Sequence, residues 1–126
     1  MAVKRILVVD DETAIVELLK DLLEDQGYEV DGAFDAAGAI DLVRQNIYDA
    51  AILDFNLPDM NGVMLHRQLR QMDGELAGNT LFASGLVQSA NNLDYYAAFG
   101  KGFLAKPFDI EEVLQSLSNL WKRQDD

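Results

Sequence analysis

Asp54 closes the apolar run Ala50–Leu53 within the stretch AILDFNLPDMNG, and a carboxylate at such a place commonly serves a turn or a helix cap. Other apolar runs end on equally reactive groups. Arg5–Val9 runs into Asp10, Asp11 and Glu12; Thr80–Ala83 ends on Ser84, with Gly85 next; Gly102–Ala105 leads into Lys106 and Pro107. Taken singly, the aspartate pair fits a solvated cap and Lys106 a surface lysine. Brought into one crevice, three carboxylates repel one another unless a cation lies among them. Hard oxygen donors with room for water suit Mg²⁺, for which Mn²⁺ can substitute. A carboxylate beside a divalent cation, an ammonium and a hydroxyl is an arrangement for phosphoryl transfer. Asp54 would be the nucleophile, and the cation, Lys106 and Ser84 would hold the phosphoryl oxygens. The product would be an aspartyl phosphate.

These groups can meet only if the runs that carry them lie parallel in one sheet. The pattern supports that arrangement. Arg5–Val9, Ala50–Asp54 and Thr80–Ser84 are short and apolar on both faces, as expected of strands covered on both sides. Residues 28–34 form a weaker strand and 102–105 a short fifth one. Between them lie stretches of helical spacing at 12–27, 35–46, 62–73, 89–100 and 109–123. In the first helix Ile15, Leu18, Leu19, Leu22 and Leu23 make the apolar stripe, and Gly27 stands where a left-handed residue would end it. Asp35 is placed to cap the second helix, and Asp109 with Glu112 has capping-box spacing for the last. Five strands alternating with five helices predict a three-layer α/β fold, (βα)5, with a parallel sheet and helices on both faces. Function in such sheets collects beyond the C-terminal strand ends. The second strand offers only Asp31 there and is expected at the edge. The segment 71–79 reads as a long polar loop.

With 126 residues the chain is expected to be one domain, 1–126, with no effector domain. It contains no cysteine, so disulfides, thiolate metal sites and thiol nucleophiles are excluded. A net charge of −12 opposes contact with nucleic acid or anionic lipid. The apolar run behind Lys4 and Arg5 meets Asp10 too soon for a signal sequence or a membrane span, which points to a cytoplasmic protein.

In order and separation, ILVVDDE, AILDFNLPDMNG, LFASG and GFLAKPF resemble the receiver domain of two-component response regulators, over essentially the whole chain. The resemblance implies a flavodoxin-like five-stranded sheet of order 2-1-3-4-5. It implies Asp54 as phosphoacceptor, Asp11 as a direct and Asp10 as a water-mediated Mg²⁺ ligand, and the Asn56 backbone carbonyl as a further ligand. Lys106 would pair with the phosphoryl group, Ser84 would follow it, and Phe103 would be the aromatic switch, with a plain core phenylalanine as the alternative. The Lys106-Pro107 bond would be cis. The implied partners are a histidine kinase or histidine-phosphotransfer protein and a downstream protein on the face of the fourth helix, fifth strand and fifth helix.

Other classes remain formally open at this point. A free-substrate aspartyl-phosphate phosphohydrolase would carry Asp-x-Asp on its first strand, and a flavin or nucleotide carrier would need a phosphate cradle where this chain has DDE. A degenerate receiver would only bind partners. His66 is expected to be an exposed helix residue, Tyr95, Tyr96 and Phe99 to be packing groups, and Trp121 to pack the last helix.

Overall fold

The computed structural model describes residues 3–84 and 102–125. Strands β1 (Arg5–Val9), β2 (Glu29–Ala33), β3 (Ala50–Asp54), β4 (Thr80–Ser84) and β5 (Phe103–Ala105) form one sheet of order β2-β1-β3-β4-β5, with every pairing parallel. Helices α1 (Thr13–Asp25), α2 (Ala36–Gln45), α3 (Gly62–Met72), α4 (Gly74–Gly78) and α5 (Ile110–Asp125) cover its two faces. This is the doubly wound, flavodoxin-like arrangement.

Strand side chains alternate between two cores, as the period of two requires. Ile6, Val8, Ala50, Ile52, Leu81 and Leu104 face α1 and α5. Leu7, Val9, Ala51, Leu53 and Phe82 face α2, α3 and α4. The same parity carries Asp10, Asp54 and Lys106 to the α1/α5 side of the sheet's C-terminal edge. Ser84 follows Phe82 to the other side. That alternation determines which site residues can meet.

The helix signals behave as their chemistry predicts. Asp35 accepts the Gly38 N–H at 2.7 Å, Asp109 accepts the Glu112 N–H at 2.8 Å, and Gly27 takes φ +95° after α1. Trp121 packs α5 onto the core and donates its indole N–H to Tyr28 Oη at 2.9 Å.

Four expectations need correction. The segment 71–79 is no plain loop. Asp73 caps the short helix α4 through the Leu76 N–H, and Leu76 and Ala77 are buried. On α1 the buried line is Val16, Leu19 and Leu23, whereas Leu18 is 58% exposed. Val16 reaches inward because it faces Gly32, where any Cβ would collide with its Cγ1. Asp31 is not at a strand end. It sits in the middle of β2, opposite Leu7, and binds the Arg5 guanidinium at 2.9 Å and the Tyr48 hydroxyl at 2.7 Å. His66 is buried, not exposed: it stands edge-on to Phe82 and donates its Nε2–H to Ala77 O at 2.8 Å. The expected helix 89–100, with Tyr95, Tyr96 and Phe99, lies outside the described residues.

Candidate functional site

Parallel pairing sets the ends of β1 and β3 side by side, with Val9 opposite Leu53, so Asp10 and Asp54 emerge as neighbours. Both are almost fully buried, at 3% and 4% exposure. Their carboxylates are held in the same way. One oxygen of each accepts the backbone N–H two residues on, Glu12 N to Asp10 Oδ1 at 2.9 Å and Asn56 N to Asp54 Oδ1 at 3.0 Å. The other oxygen of each faces Lys106 Nζ, at 2.6 Å from Asp10 Oδ2 and 3.0 Å from Asp54 Oδ2. Glu12 adds a more exposed contact to the same ammonium at 3.3 Å. Lys106 enters from the end of β5, where its N–H bonds to Ser84 O at 2.9 Å and its peptide bond to Pro107 is cis.

Two charge effects follow from this packing. Burial pushes the Asp10 carboxyl above its usual range, against the pull of Lys106 and the Glu12 N–H, and the neighbouring Asp54 charge adds to the rise. Burial alone would lower Lys106, but the hydrogen bonds and charges of Asp10 and Asp54 outweigh it and raise its pKa. Lys106 is therefore a firmly held cation.

Asp11, exposed at the rim, completes a group of three. One carboxylate oxygen from each of Asp10, Asp11 and Asp54 lies within 4.8 Å of the others. The set is all oxygen, and among the described residues Asp10, Glu12 and Asp54 share the Lys106 ammonium. Such a donor set fits a hard divalent cation such as Mg²⁺. The Asn56 carbonyl belongs to the loop that leaves Asp54.

Ser84 and Phe103 lie apart from this cluster. Ser84 Oγ receives the Asn56 Nδ2–H at 3.4 Å on the other side of the sheet edge. Phe103 is 36% exposed, so it is not a plain core phenylalanine. Its ring lies 6.3 Å from Phe55, which stacks at 4.7 Å on Phe82. An aromatic line thus runs from β5, past the residue after Asp54, to His66 on α3.

The β3–α3 loop contributes groups that the sequence patterns did not single out. Asn61 caps α3 through the Met64 N–H at 2.8 Å, and it pairs with Asn56 in an isolated antiparallel bridge. The Gly62 N–H closes the loop on Phe55 O at 2.7 Å. A Cβ at Gly62 would lie 2.8 Å from Phe55 Cα and closer still to Asp54 O, so the start of α3 packs directly on the backbone that presents Asp54. Asp59, at the tip, binds the first turn of α2. The Asn-Gly pair before an apolar helical run could have signalled Asn61. Nothing local could have signalled Asp59, whose partners lie in another element.

Beside the carboxylates runs an apolar groove of about 490 Å³. Ile15, Leu18 and Leu22 of α1 form one wall, Pro107, Phe108 and Ile110 the other, and Glu12 and Lys106 its inner end.

Comparison with known proteins agrees with this geometry. The sequence model of the response regulator receiver domain matches residues 6–118. The response regulator MprA of a Mycobacterium species is 38% identical over 120 residues, covering 94% of this chain and 51% of that protein. The response regulator ArlR of Staphylococcus saprophyticus is 32% identical over 120 residues, covering 95% of this chain and 53% of that protein. The chain thus spans about half the length of these curated relatives. Among solved structures, the chemotaxis response regulator CheY4 of Vibrio cholerae superposes with a TM-score of 0.82 at 29% identity, covering 94% of this chain and 99% of that one. The response regulator TrrA of Thermotoga maritima, solved in complex with Mg²⁺-BeF, gives 0.80 at 30% identity, covering 93% and 98%.

Proposed function

The chain belongs to the response regulator receiver family of two-component signalling, and from that premise we propose that Asp54 is its phosphoacceptor and that Lys106, Ser84 and Phe103 read the modification. The observation that carries this is the convergence, from three strand ends, of Asp10, Asp54 and Lys106 within 3.0 Å contacts beside Asp11. Receivers take their phosphoryl group from histidine kinases or phosphotransfer proteins. The phosphorus–nitrogen bond to the donor imidazole breaks as the bond to the Asp54 oxygen forms, and the leaving nitrogen keeps the electron pair and takes up a proton.

Asp10, Asp11, Asp54 and the Asn56 carbonyl would hold Mg²⁺, with Mn²⁺ as a substitute. Bound there, the ion supplies positive charge against the phosphoryl oxygens and against the crowded carboxylates. The Asn56 N–H fixes the Asp54 carboxylate in orientation. Lys106, already tethered to Asp54, follows the phosphoryl oxygen. Ser84 exchanges its Asn56 contact for a hydrogen bond to the phosphoryl group, and Phe103 turns inward against Phe55, shifting a two-state equilibrium. Output passes to a downstream protein through β5, α5 and the segment 89–100. The donor protein docks in the groove of Ile15, Leu18 and Leu22, because that groove ends on Glu12 and Lys106 at the site itself.

Incubation with phosphoramidate and Mg²⁺, followed by intact-mass measurement, should show a single added phosphoryl group. Asp54→Asn should abolish it. Undiminished labelling of that variant would overturn the assignment.

A further inference from the structure

In the first turn of α2 the backbone N–H groups of Ala36, Ala37 and Gly38 have no helical partner; all three are occupied, and only one of them by the helix's own cap residue. Asp35 accepts the Gly38 N–H through Oδ1, while its carbonyl makes the first bond of the helix itself, to the Ala39 N–H at 3.2 Å. The remaining two, on Ala36 and Ala37, are taken by Asp59. Its Oδ1 receives Ala36 N at 2.9 Å and its Oδ2 receives Ala37 N at 3.0 Å. One carboxylate therefore straddles the first turn of a helix in a different element, at the positive end of its dipole. These two N–H groups hold the exposed Asp59 carboxyl below its usual range, so it stays ionised at neutral pH.

Asp59 sits at the tip of the loop that carries Asn56. The neck of that loop is closed by Gly62 N to Phe55 O and by the Asn56–Asn61 bridge. Asn56 is itself one side of that neck, paired with Asn61, and its N–H is committed to Asp54 Oδ1. With the neck alone, the loop could pivot about the Phe55–Gly62 contact. With the tip clamped on α2 as well, the loop is held at both ends and cannot pivot, and Asn56 in its neck is held with it. A carbonyl can serve as a metal ligand only if it is held to within about 0.5 Å.

We propose that Asp59 is a positioning residue for the metal site: its two-point clamp on α2 fixes the β3–α3 loop and so sets the Asn56 carbonyl relative to Asp10, Asp11 and Asp54. The proposal rests on the phosphoacceptor assignment above. It differs from simple helix capping, because Asp35 caps the same helix without touching the loop. It also differs from a plain charge effect, because Asp35 carries the same charge at the same helix end.

The comparison is therefore Asp59→Ala against Asp35→Ala, with Mg²⁺ alone as the probe in titration calorimetry. A second readout is the Mg²⁺ concentration that half-saturates phosphoramidate labelling. Asp59→Ala should weaken Mg²⁺ binding by about tenfold, the low end of what outer partners of metal ligands contribute. The labelling rate at saturating Mg²⁺ should stay near that of the unmodified protein. Asp35→Ala should lower the melting temperature yet leave Mg²⁺ affinity unchanged. If Asp59→Ala fails to fold, Asp59→Asn, which keeps the shape and one acceptor, carries the same comparison with a smaller loss. Unaltered Mg²⁺ affinity on removing Asp59, or an equal loss on removing Asp35, overturns the clamp while the parent protein still labels at Asp54. A parent protein that neither binds Mg²⁺ nor labels overturns the phosphoacceptor assignment, and the clamp with it.

Discussion

At Asp10 and Asp54 one device appears twice: an oxygen on the N–H two residues along, and an oxygen on Lys106. Each carboxylate is oriented before any ligand arrives, which lowers the reorganisation a phosphoryl transfer would require. His66 shows the opposite treatment of a titratable group. Burial lowers its pKa, Arg70 adds to that, and the bond to Ala77 O opposes it. The carbonyl can only accept, so the neutral tautomer carries its proton on Nε2. In the unfolded chain the imidazole protonates near pH 6.5. Stability is therefore complete above about pH 6.5 and is lost as the pH falls toward the lower folded value, by up to about 1.4 kcal/mol per pH unit. His66 is the only histidine in the chain. His66→Gln, which keeps a donor for Ala77 O, should remove this slope. Melting temperatures of both proteins between pH 7 and pH 5 measure the difference, and parallel curves would exclude a buried neutral imidazole.

At the scale of elements, α1 has two tasks. Val16, Leu19 and Leu23 bind it to the sheet, and Leu18 is left on the outer wall of the groove. Because Leu18 is exposed, Leu18→Ser should change stability by no more than about 0.5 kcal/mol. An interface anchor at that place is worth about 1–2 kcal/mol, so transfer from a donor phosphohistidine protein should slow by roughly five- to thirtyfold. Labelling by phosphoramidate, which needs no docking, should be unaffected. Loss of both activities, or of neither, would remove the groove from the mechanism. The sequence is most informative about the sheet: β1, β3 and β4 fall where their apolar runs predict, because both faces of each strand are buried. It is less informative where contacts are remote. Leu18 and Val16 differ only in what they face, and Gly32 decides that from another strand. Helix α4 is too short to show a period, and its Gly-Glu-Leu-Ala-Gly composition resembles a loop. Asp10, Asp11, Asp54 and Lys106 are legible as a cluster because parallel strands must align their ends. Asp59 is not, since its partners are 22 and 23 residues earlier in the chain.

At the scale of the molecule, the net charge of −12 is a self-repulsion, and the fold crowds part of it at one edge of the sheet. Asp10, Asp11 and Asp54 share less than 4.8 Å there, with Lys106 bound to two of the three. A divalent cation that binds this edge binds the folded chain far better than the unfolded one, in which the three carboxylates are dispersed. At a Mg²⁺ concentration about ten times its dissociation constant, this linkage stabilises the fold by about 1.4 kcal/mol. For a domain of this size that corresponds to a rise in melting temperature of roughly 5 °C. NaCl at matched ionic strength screens the general repulsion but cannot bridge three carboxylates, so its effect should be smaller. Asp11→Asn separates the two contributions. It removes one of the crowded charges at an exposed position, so it should raise the melting temperature in chelator-treated buffer and nearly abolish the further rise with Mg²⁺. Thermal scans of both proteins across a Mg²⁺ series, with NaCl controls, provide the measurement. A variant that melts no higher than the parent without Mg²⁺, and responds to Mg²⁺ just as fully, would mean that Asp11 is not part of the site.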